Sequence, residues 1–226
     1  MFFLHRLLAK QFRKPTGPLA GWVSQKMKTR NREVYDWTLS LVALSPSDNV
    51  LEVGYGPGHG IEQIARIVEN GPGSVFGVDF SPAMFKQASR RNRTAIENGD
   101  VCLMMGCADK TSFPDDRFDA IIGINVVYFF DDPPRCLGEL RRVLRPGGRA
   151  AFYLTDGADM GHLPDAYFQK YSGNAFAKIM IRAGFEKVAI HTRELAWNGQ
   201  HRTGHCVIGE KPVGTDRLSM RSMVRA

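Results

Sequence analysis

From residue 49 onward, short apolar runs alternate with amphipathic stretches. The apolar runs are Asn49–Gly54, Ser74–Phe80, Val101–Ala108, Phe118–Asn125 and Arg149–Leu154, followed by Lys187–Leu195 and Thr203–Glu210. Runs this short and apolar suit strands buried on both faces. The stretches between the early ones have helical periodicity over about 10–15 residues, the length of a crossover helix. The rhythm predicts βαβ units and a mostly parallel sheet covered by helices on both faces. Residues 24–44 read as a helix preceding the first strand, with Trp37, Leu41 and Leu44 on one face. There is no internal repeat and no low-complexity tract.

Several helix boundaries are written in the residues. Ser81-Pro82 offers an N-cap followed by a proline at the first helical position, and Asp132-Pro133 does the same for a helix running to about Leu144. Arg145-Pro146-Gly147-Gly148 stops that helix and turns the chain into the next strand, and a later helix ends near Gly184.

The sharpest chemical signal is Val50-Leu51-Glu52-Val53-Gly54-Tyr55-Gly56-Pro57-Gly58-His59-Gly60. An apolar strand enters a glycine-rich turn, and a helix follows with Ile61, Ile64, Ala65 and Val68 on one face. Glycines let a ligand approach the backbone, and the first N–H groups of the helix point at whatever polar group sits there. The G-x-G-x-G-x-G spacing departs from the dinucleotide fingerprint, because His59 stands where its last glycine would be. Glu52 lies inside the apolar strand, where a carboxylate is costly unless it meets a partner or ligand. Asp79 ends the second strand, where an acid accepts hydrogen bonds from two ribose hydroxyls. Asp79 could instead cap the next helix, but Ser81 is better placed for that.

Glu52-x-Gly54-x-Gly56-x-Gly58, Asp79, Gly106-Cys107-Ala108-Asp109 and Arg145-Pro146-Gly147-Gly148, in this order and spacing, resemble the class I S-adenosylmethionine-dependent methyltransferases. The likeness covers about residues 49–154 and is closest to the small-molecule, quinone-biosynthesis-like branch (methyltransferase type 11). It implies a doubly wound, Rossmann-like seven-stranded sheet, mostly parallel with an antiparallel last strand. It also implies S-adenosylmethionine as cofactor and S-adenosylhomocysteine as product. Gly54, Tyr55, Gly56 and Gly58 would surround the methionine part, with Glu52 supporting its amino group. Asp79 would hold the ribose. Phe80 and Met84 would lie beside the adenine, with Ala108 and Asp109 at its edge, and Asn125 below the transferable methyl group. Asp109 also has a plain reading as a solvated loop acid.

The acceptor side is less legible. Methyl transfer from a sulfonium needs an acceptor held in line in a water-poor pocket, and a base only where the acceptor must lose a proton. The segment Ile124-Asn125-Val126-Val127-Tyr128-Phe129-Phe130 lacks the motifs of exocyclic-amino and cytosine-C5 methylation of nucleic acids. It also lacks the paired-glutamate loop of protein arginine methylation. Tyr128 and Phe129 either line an apolar acceptor pocket or belong to the core. His162, in the loop after the fifth strand, is either an acceptor-side base or a surface histidine. Tyr128 and His162 are the catalytic candidates. His201 and His205 are four apart but have no intervening Glu, and Gly204 disfavours a helix there, so no metal is expected. Cys107 reads as a small buried residue.

Composition narrows the picture. The chain has 226 residues, 43% of them hydrophobic and 23% charged, which suits one globular domain rather than a disordered chain. No apolar run approaches the roughly 18–20 residues that cross a bilayer. Four cysteines without CxxC spacing, and no secretory signal layout, point to reduced thiols and a cytoplasmic location.

The net charge is +7, but residues 1–32 carry eight Lys and Arg and no acid. The remaining 194 residues hold 22 basic against 23 acidic groups. The basic excess belongs to an arm, not to the whole surface, so no strong nucleic-acid signature follows. Phe2, Phe3, Leu4, Leu7, Leu8 and Phe12 lie among Arg6, Lys10, Arg13 and Lys14. A helix there could cap the site, rest on an anionic membrane through residues 1–20, or mediate self-association. As a cap it would bring Arg30, Arg32 and Tyr35 toward the acceptor.

The expected organisation is a basic helical cap or arm over 1–45, a cofactor-binding domain over 46–212, and a C-terminal tail over 213–226 open to disorder. The expected function is methyl transfer from S-adenosylmethionine to a small-molecule acceptor by in-line displacement. The alternatives are a lipid or nucleic-acid methyltransferase anchored by the arm, and a non-catalytic partner with the same fold. Acceptor identity and oligomeric state are open.

Overall fold

The computed structural model describes residues 32–161, 163–166, 168–197 and 200–213. The basic arm before residue 32, His162 and most of the C-terminal tail lie outside the described residues.

Seven strands form one sheet: β1 (Asn49–Val53), β2 (Ser74–Asp79), β3 (Val101–Met105), β4 (Phe118–Ile124), β5 (Leu144–Thr155), β6 (Glu186–Trp197) and β7 (Gln200–Glu210), in the order β3-β2-β1-β4-β5-β7-β6. β1 pairs in parallel with β2 and β4, β2 with β3, and β4 with β5. β7 is antiparallel to both β5 and β6. This is the expected doubly wound sheet with its antiparallel last strand. The strand order reverses between β1 and β4, and in such sheets the carboxyl ends beside that reversal hold the ligand.

The helices are α1 (residues 32–42), α2 (His59–Val68), α3 (Pro82–Arg91), α4 (Arg93–Glu97), α5 (Pro133–Val143) and α6 (Gly173–Arg182). Their starts follow the capping chemistry. The Ser81 hydroxyl accepts from the Met84 N–H at 3.4 Å, and the Asp132 carboxylate accepts from the Arg135 N–H at 3.1 Å. Each cap is followed by proline, whose missing N–H costs nothing in the first turn.

Two apolar layers cover the sheet. One joins β-strand residues to α5 and α6 through Leu137, Leu140, Phe152 and Phe176. The other joins the opposite face to α1, α2 and α3 through Tyr35, Ile61, Ile64 and Ala88.

The structure departs from the expected pattern in several places, and the fifth strand starts at Leu144 rather than Arg149, so that Arg145-Pro146-Gly147-Gly148 lies inside it. The third strand stops at Met105 rather than Ala108, because its neighbour β2 ends at Asp79: the Gly106 N–H to the Asp79 carbonyl at 3.1 Å is the last bond between them, and Cys107 then turns to bridge Lys110. The buried face of α1 is Val34, Tyr35, Thr38, Leu39 and Val42, while Trp37, Leu41 and Leu44 are only partly buried at its border. Trp37 there meets Tyr153 edge-on at 6.2 Å. Cys107 is exposed, not buried, because it sits in the turn after β3 instead of in the strand.

Among the described residues, no helix is long and apolar enough to cross a membrane, and no cluster of His, Cys, Asp and Glu could hold a metal ion.

Candidate functional site

A cavity of about 370 Å³ opens at the carboxyl ends of β1, β2 and β4. Its floor is Val53, Gly54, Val78 and Asp79. Phe80 lines one side and Gly106, Cys107, Ala108 and Asp109 another. The remaining wall is Val126, Phe129, Phe130 and the start of α5 with Asp131, Asp132, Arg135 and Cys136.

The glycine loop is shaped by close packing as much as by an open face. Gly54 has φ +69°, and a Cβ there would fall 2.5 Å from the Val126 side chain. Gly58 has φ +80° and presses on the α3 backbone at Ala88, where an added Cβ would lie at 2.8 Å. Both positions favour glycine twice over, through backbone conformation and through space. Asn92, buried at the end of α3, donates to the Gly58 carbonyl at 3.1 Å and clamps the loop to that helix. Gly58 is the N-cap of α2 and supplies no side-chain acceptor, so the first turn of α2 meets the loop without one.

Asp79 is held by backbone. One carboxylate oxygen accepts from the Gly56 N–H at 2.9 Å and the other from the Ser81 N–H at 2.8 Å. It is 7% exposed, and burial pushes its carboxyl above the usual range while these two N–H groups pull it back. Glu52, fully buried, accepts a hydrogen bond from the Tyr35 hydroxyl at one oxygen, and its other oxygen has no partner. Burial raises its carboxyl, the Tyr35 hydrogen bond lowers it and the negative charge of Asp79 raises it, which together leave it at about 8. Among the described residues neither carboxyl has an ion-pair partner. Two buried acids in mutual electrostatic reach, with no ion-pair partner among the described residues, favour a ligand that brings positive charge.

The structure gathers some expected residues around the cavity and leaves others elsewhere. Gly54, Asp79, Phe80, Ala108 and Asp109 line it. Tyr55 and Gly56 instead border a small adjoining gap with Tyr35, Pro57 and His59. The Tyr55 ring is buried and its hydroxyl donates to the Met104 carbonyl at 3.2 Å. Met84 is buried in the interior and does not line the cavity. Asn125 has φ +55° and accepts from the Tyr128 hydroxyl at 3.0 Å. Tyr128, 4% exposed, lies in the core, and its hydroxyl also accepts the Thr155 N–H at 2.5 Å. Of the aromatic pair, Phe129 faces the cavity and Tyr128 the interior. His162 lies outside the described residues.

Other features carry no sequence signal of their own. Tyr35 reaches Glu52 across 17 residues of chain, and only the fold brings them together. Arg135 meets Asp109 at 3.4 Å on the cavity rim. It follows the Asp132-Pro133 cap by one turn, so the cap placed it on the rim but did not reveal a partner. The Cys136 thiol is pushed up to about 12 by burial and then by Asp109 and Asp132, which makes it a poor nucleophile.

Comparison with known proteins agrees with this geometry. Residues 51–152 match a family model described as a methyltransferase domain. The chain is 27% identical to the uncharacterized methyltransferase YdaC of Bacillus subtilis, over 86% of this chain and 99% of that protein. It is 36% identical to the 2-phytyl-1,4-naphtoquinone methyltransferase of Synechococcus elongatus over 48% of this chain, spanning 46% of that protein. In fold it is similar to a chain of the complex between the Haloferax volcanii Trm112 methyltransferase activator and a methyltransferase. That likeness has a TM-score of 0.73 at 19% identity, over 88% of this chain and 98% of the other. Residues 51–152 thus match a methyltransferase domain, and the chain is similar to a methyltransferase over 86% of its length.

Proposed function

We propose that the cavity binds S-adenosylmethionine and that the chain transfers its methyl group to a small-molecule acceptor by in-line displacement. The observation that carries this reading is the backbone-held Asp79 lining the cavity, with the buried Glu52 and the glycine loop, at the point where the strand order reverses.

The residues suit the cofactor. Asp79 is fixed by two N–H groups, and each of its oxygens keeps a lone pair for a ribose hydroxyl. Glu52 keeps an unpartnered buried oxygen near the end of β1. Gly54 and Gly58 keep the loop free of side chains, and the first turn of α2 has no side-chain cap. Phe80, Ala108 and Asp109 offer an apolar wall and a polar edge of the kind an adenine ring uses.

Bound there, S-adenosylmethionine supplies a methyl group already activated by sulfonium charge. The chain's contribution is to position the reactants and to exclude water. Glu52 and Asp79 hold negative charge near the cationic ligand. Val126 and Phe129 make the neighbouring wall dry and apolar, which suits a hydrophobic or aromatic acceptor. The likeness to a naphthoquinone methyltransferase over 48% of the chain supports the same class. Tyr128 serves as a positioning residue, since its hydroxyl ties Asn125 to the start of the loop after β5. The acidic rim of Asp109, Asp131 and Asp132 disfavours nucleic acid as the acceptor.

The test is incubation with methyl-labelled S-adenosylmethionine and a metabolite extract, read by mass spectrometry. The expected result is label in an apolar small molecule with one S-adenosylhomocysteine formed per label transferred. Cofactor binding without any labelled product would support a non-catalytic protein with this fold instead.

A further inference from the structure

Helix α3 reaches the candidate site at both of its ends. At its start, the Ser81 N–H donates to one oxygen of Asp79 at 2.8 Å, and the Gly56 N–H donates to the other at 2.9 Å. At its end, two consecutive residues hold two consecutive carbonyls of the glycine loop. Arg91 donates from Nε to the Pro57 carbonyl at 3.0 Å, and Asn92 donates from Nδ2 to the Gly58 carbonyl at 3.1 Å. Asp79, α3 and the glycine loop therefore close a ring of contacts. Between the two ends, Ala88 lies so near Gly58 that a Cβ added to the glycine would fall 2.8 Å from it.

The loop contacts exceed what ending a helix requires. The Asn92 backbone N–H and its side-chain amide both donate to the Ala88 carbonyl, each at 2.9 Å, which ties down the end of α3. The amide also donates to Gly58, whose carbonyl already accepts the Glu62 N–H at 3.2 Å as the first bond of α2. Asn92 is 4% exposed, so its amide depends on these protein acceptors rather than on water. Arg91 is about one-third exposed, and its guanidinium also lies 3.7 Å from Glu62 in the first turn of α2. The peptide unit is rigid, so a carbonyl fixed in direction fixes its whole plane. The loop needs such restraint, because Gly54, Gly56 and Gly58 place few limits of their own on the backbone.

Resting on the cofactor reading above, we infer that Arg91 and Asn92 are positioning residues for the methionyl end of the cofactor: neither lines the cavity, and both pre-set the glycine loop that receives that end. The division of the ligand follows the cavity wall. With the ribose on Asp79 and the base along Phe80 and Ala108, the substituent on the ribose is left at Gly54, where the glycine loop begins. A loop already held in its binding shape loses less conformational freedom when the ligand arrives. The adenosine half is held from elsewhere, since Asp79 keeps the Ser81 N–H at the opposite end of α3. Loosening the clamp should therefore weaken one half of the ligand and spare the other.

The experiment is calorimetric titration of the full chain with S-adenosylhomocysteine and with 5′-methylthioadenosine, which keeps the adenosine and the thioether but lacks the amino acid end. The weaker ligand is read by competition against the tighter one. The proteins are the native chain, Asn92→Ala, Arg91→Ala and Arg91→Lys, each checked for folding by thermal unfolding. Asn92→Ala should weaken S-adenosylhomocysteine about tenfold and 5′-methylthioadenosine less than about twofold. Arg91→Ala should show the same selectivity at about threefold, because its site is partly screened by solvent. Arg91→Lys keeps a donor and should recover most of that loss. If Asn92→Ala does not fold, the two Arg91 variants carry the same test. Equal weakening of both ligands would overturn the inference and leave a purely structural clamp, with the cofactor reading intact. Unchanged S-adenosylhomocysteine affinity in the alanine variants would overturn it as well. So would 5′-methylthioadenosine that fails to compete on the native protein up to about 10 mM, since the ligand is then not held in two halves. Absence of S-adenosylhomocysteine binding to the native protein would overturn the cofactor reading itself, and this inference with it.

Discussion

Two acid sites of this protein are built to opposite rules. At Glu139, both carboxylate oxygens are matched. Arg142 donates to each at 2.8 Å, and Thr111 adds its N–H at 2.8 Å and its hydroxyl at 2.6 Å. Those hydrogen bonds hold the carboxyl down at about 2. At Glu52, burial is complete, one oxygen lacks a partner, and the carboxyl is pushed up to about 8. The first site ties α5 to the loop before β4, where Arg142 also reaches the Phe113 carbonyl at 2.8 Å. The second leaves an electrostatic need unmet. A satisfied acid stabilises a fold, whereas an unsatisfied buried acid costs it stability.

The contrast can be broken most forcefully at Glu52. Its folded carboxyl binds a proton more tightly than the unfolded one, so the folded state gains at low pH and loses as pH rises from about 4.5 to about 8. This group alone should cost the native protein on the order of 3–4 kcal/mol between pH 5 and pH 9. Glu52→Gln should lack that slope, as read by urea unfolding across the range.

Next in size is Asp79→Ala, which strands the Gly56 and Ser81 N–H groups. We expect about 2–3 kcal/mol of lost stability by the same assay. Glu139→Gln should cost about 1–2 kcal/mol at pH 7, since part of the site is solvent-screened. The sign of its pH dependence is opposite to that of Glu52. The Glu139 contribution is present above about 4.5 and is lost as pH falls toward 2, so the gap between native and variant closes in acid. The smallest effect belongs to the exposed Arg135–Asp109 pair, where Arg135→Ala should change stability by less than about 0.5 kcal/mol.

The same contrast explains what could be read from the chain. The central strands β1 and β4 were legible because they are largely apolar runs, and the caps at Ser81 and Asp132 because their side chains act within three residues. Glu52 was legible as a misfit, an acid inside an apolar strand. Its partner Tyr35 was not, since the pairing depends on α1 lying across the glycine loop. Gly54 and Gly58 announced a tight turn but not that Val126 and Ala88 fill the space a side chain would need. The third strand ran short of its apolar stretch because its neighbour β2 ends at Asp79 and offers no further ladder partner. Tyr128 and Phe129 are adjacent in sequence, and only the 3₁₀ turn over Val127–Phe129 decides which one faces the cavity.

The central claim is that Asp79 and the glycine loop form an S-adenosylmethionine site. Calorimetric titration of the native protein and Asp79→Ala with S-adenosylmethionine at pH 7.5 tests it directly. The account predicts one site per chain in the native protein, and affinity weakened about a hundredfold or more once two charge-assisted hydrogen bonds to ribose are gone. Native affinity no better than about millimolar, or an Asp79→Ala variant that binds as tightly as the native protein, would contradict it.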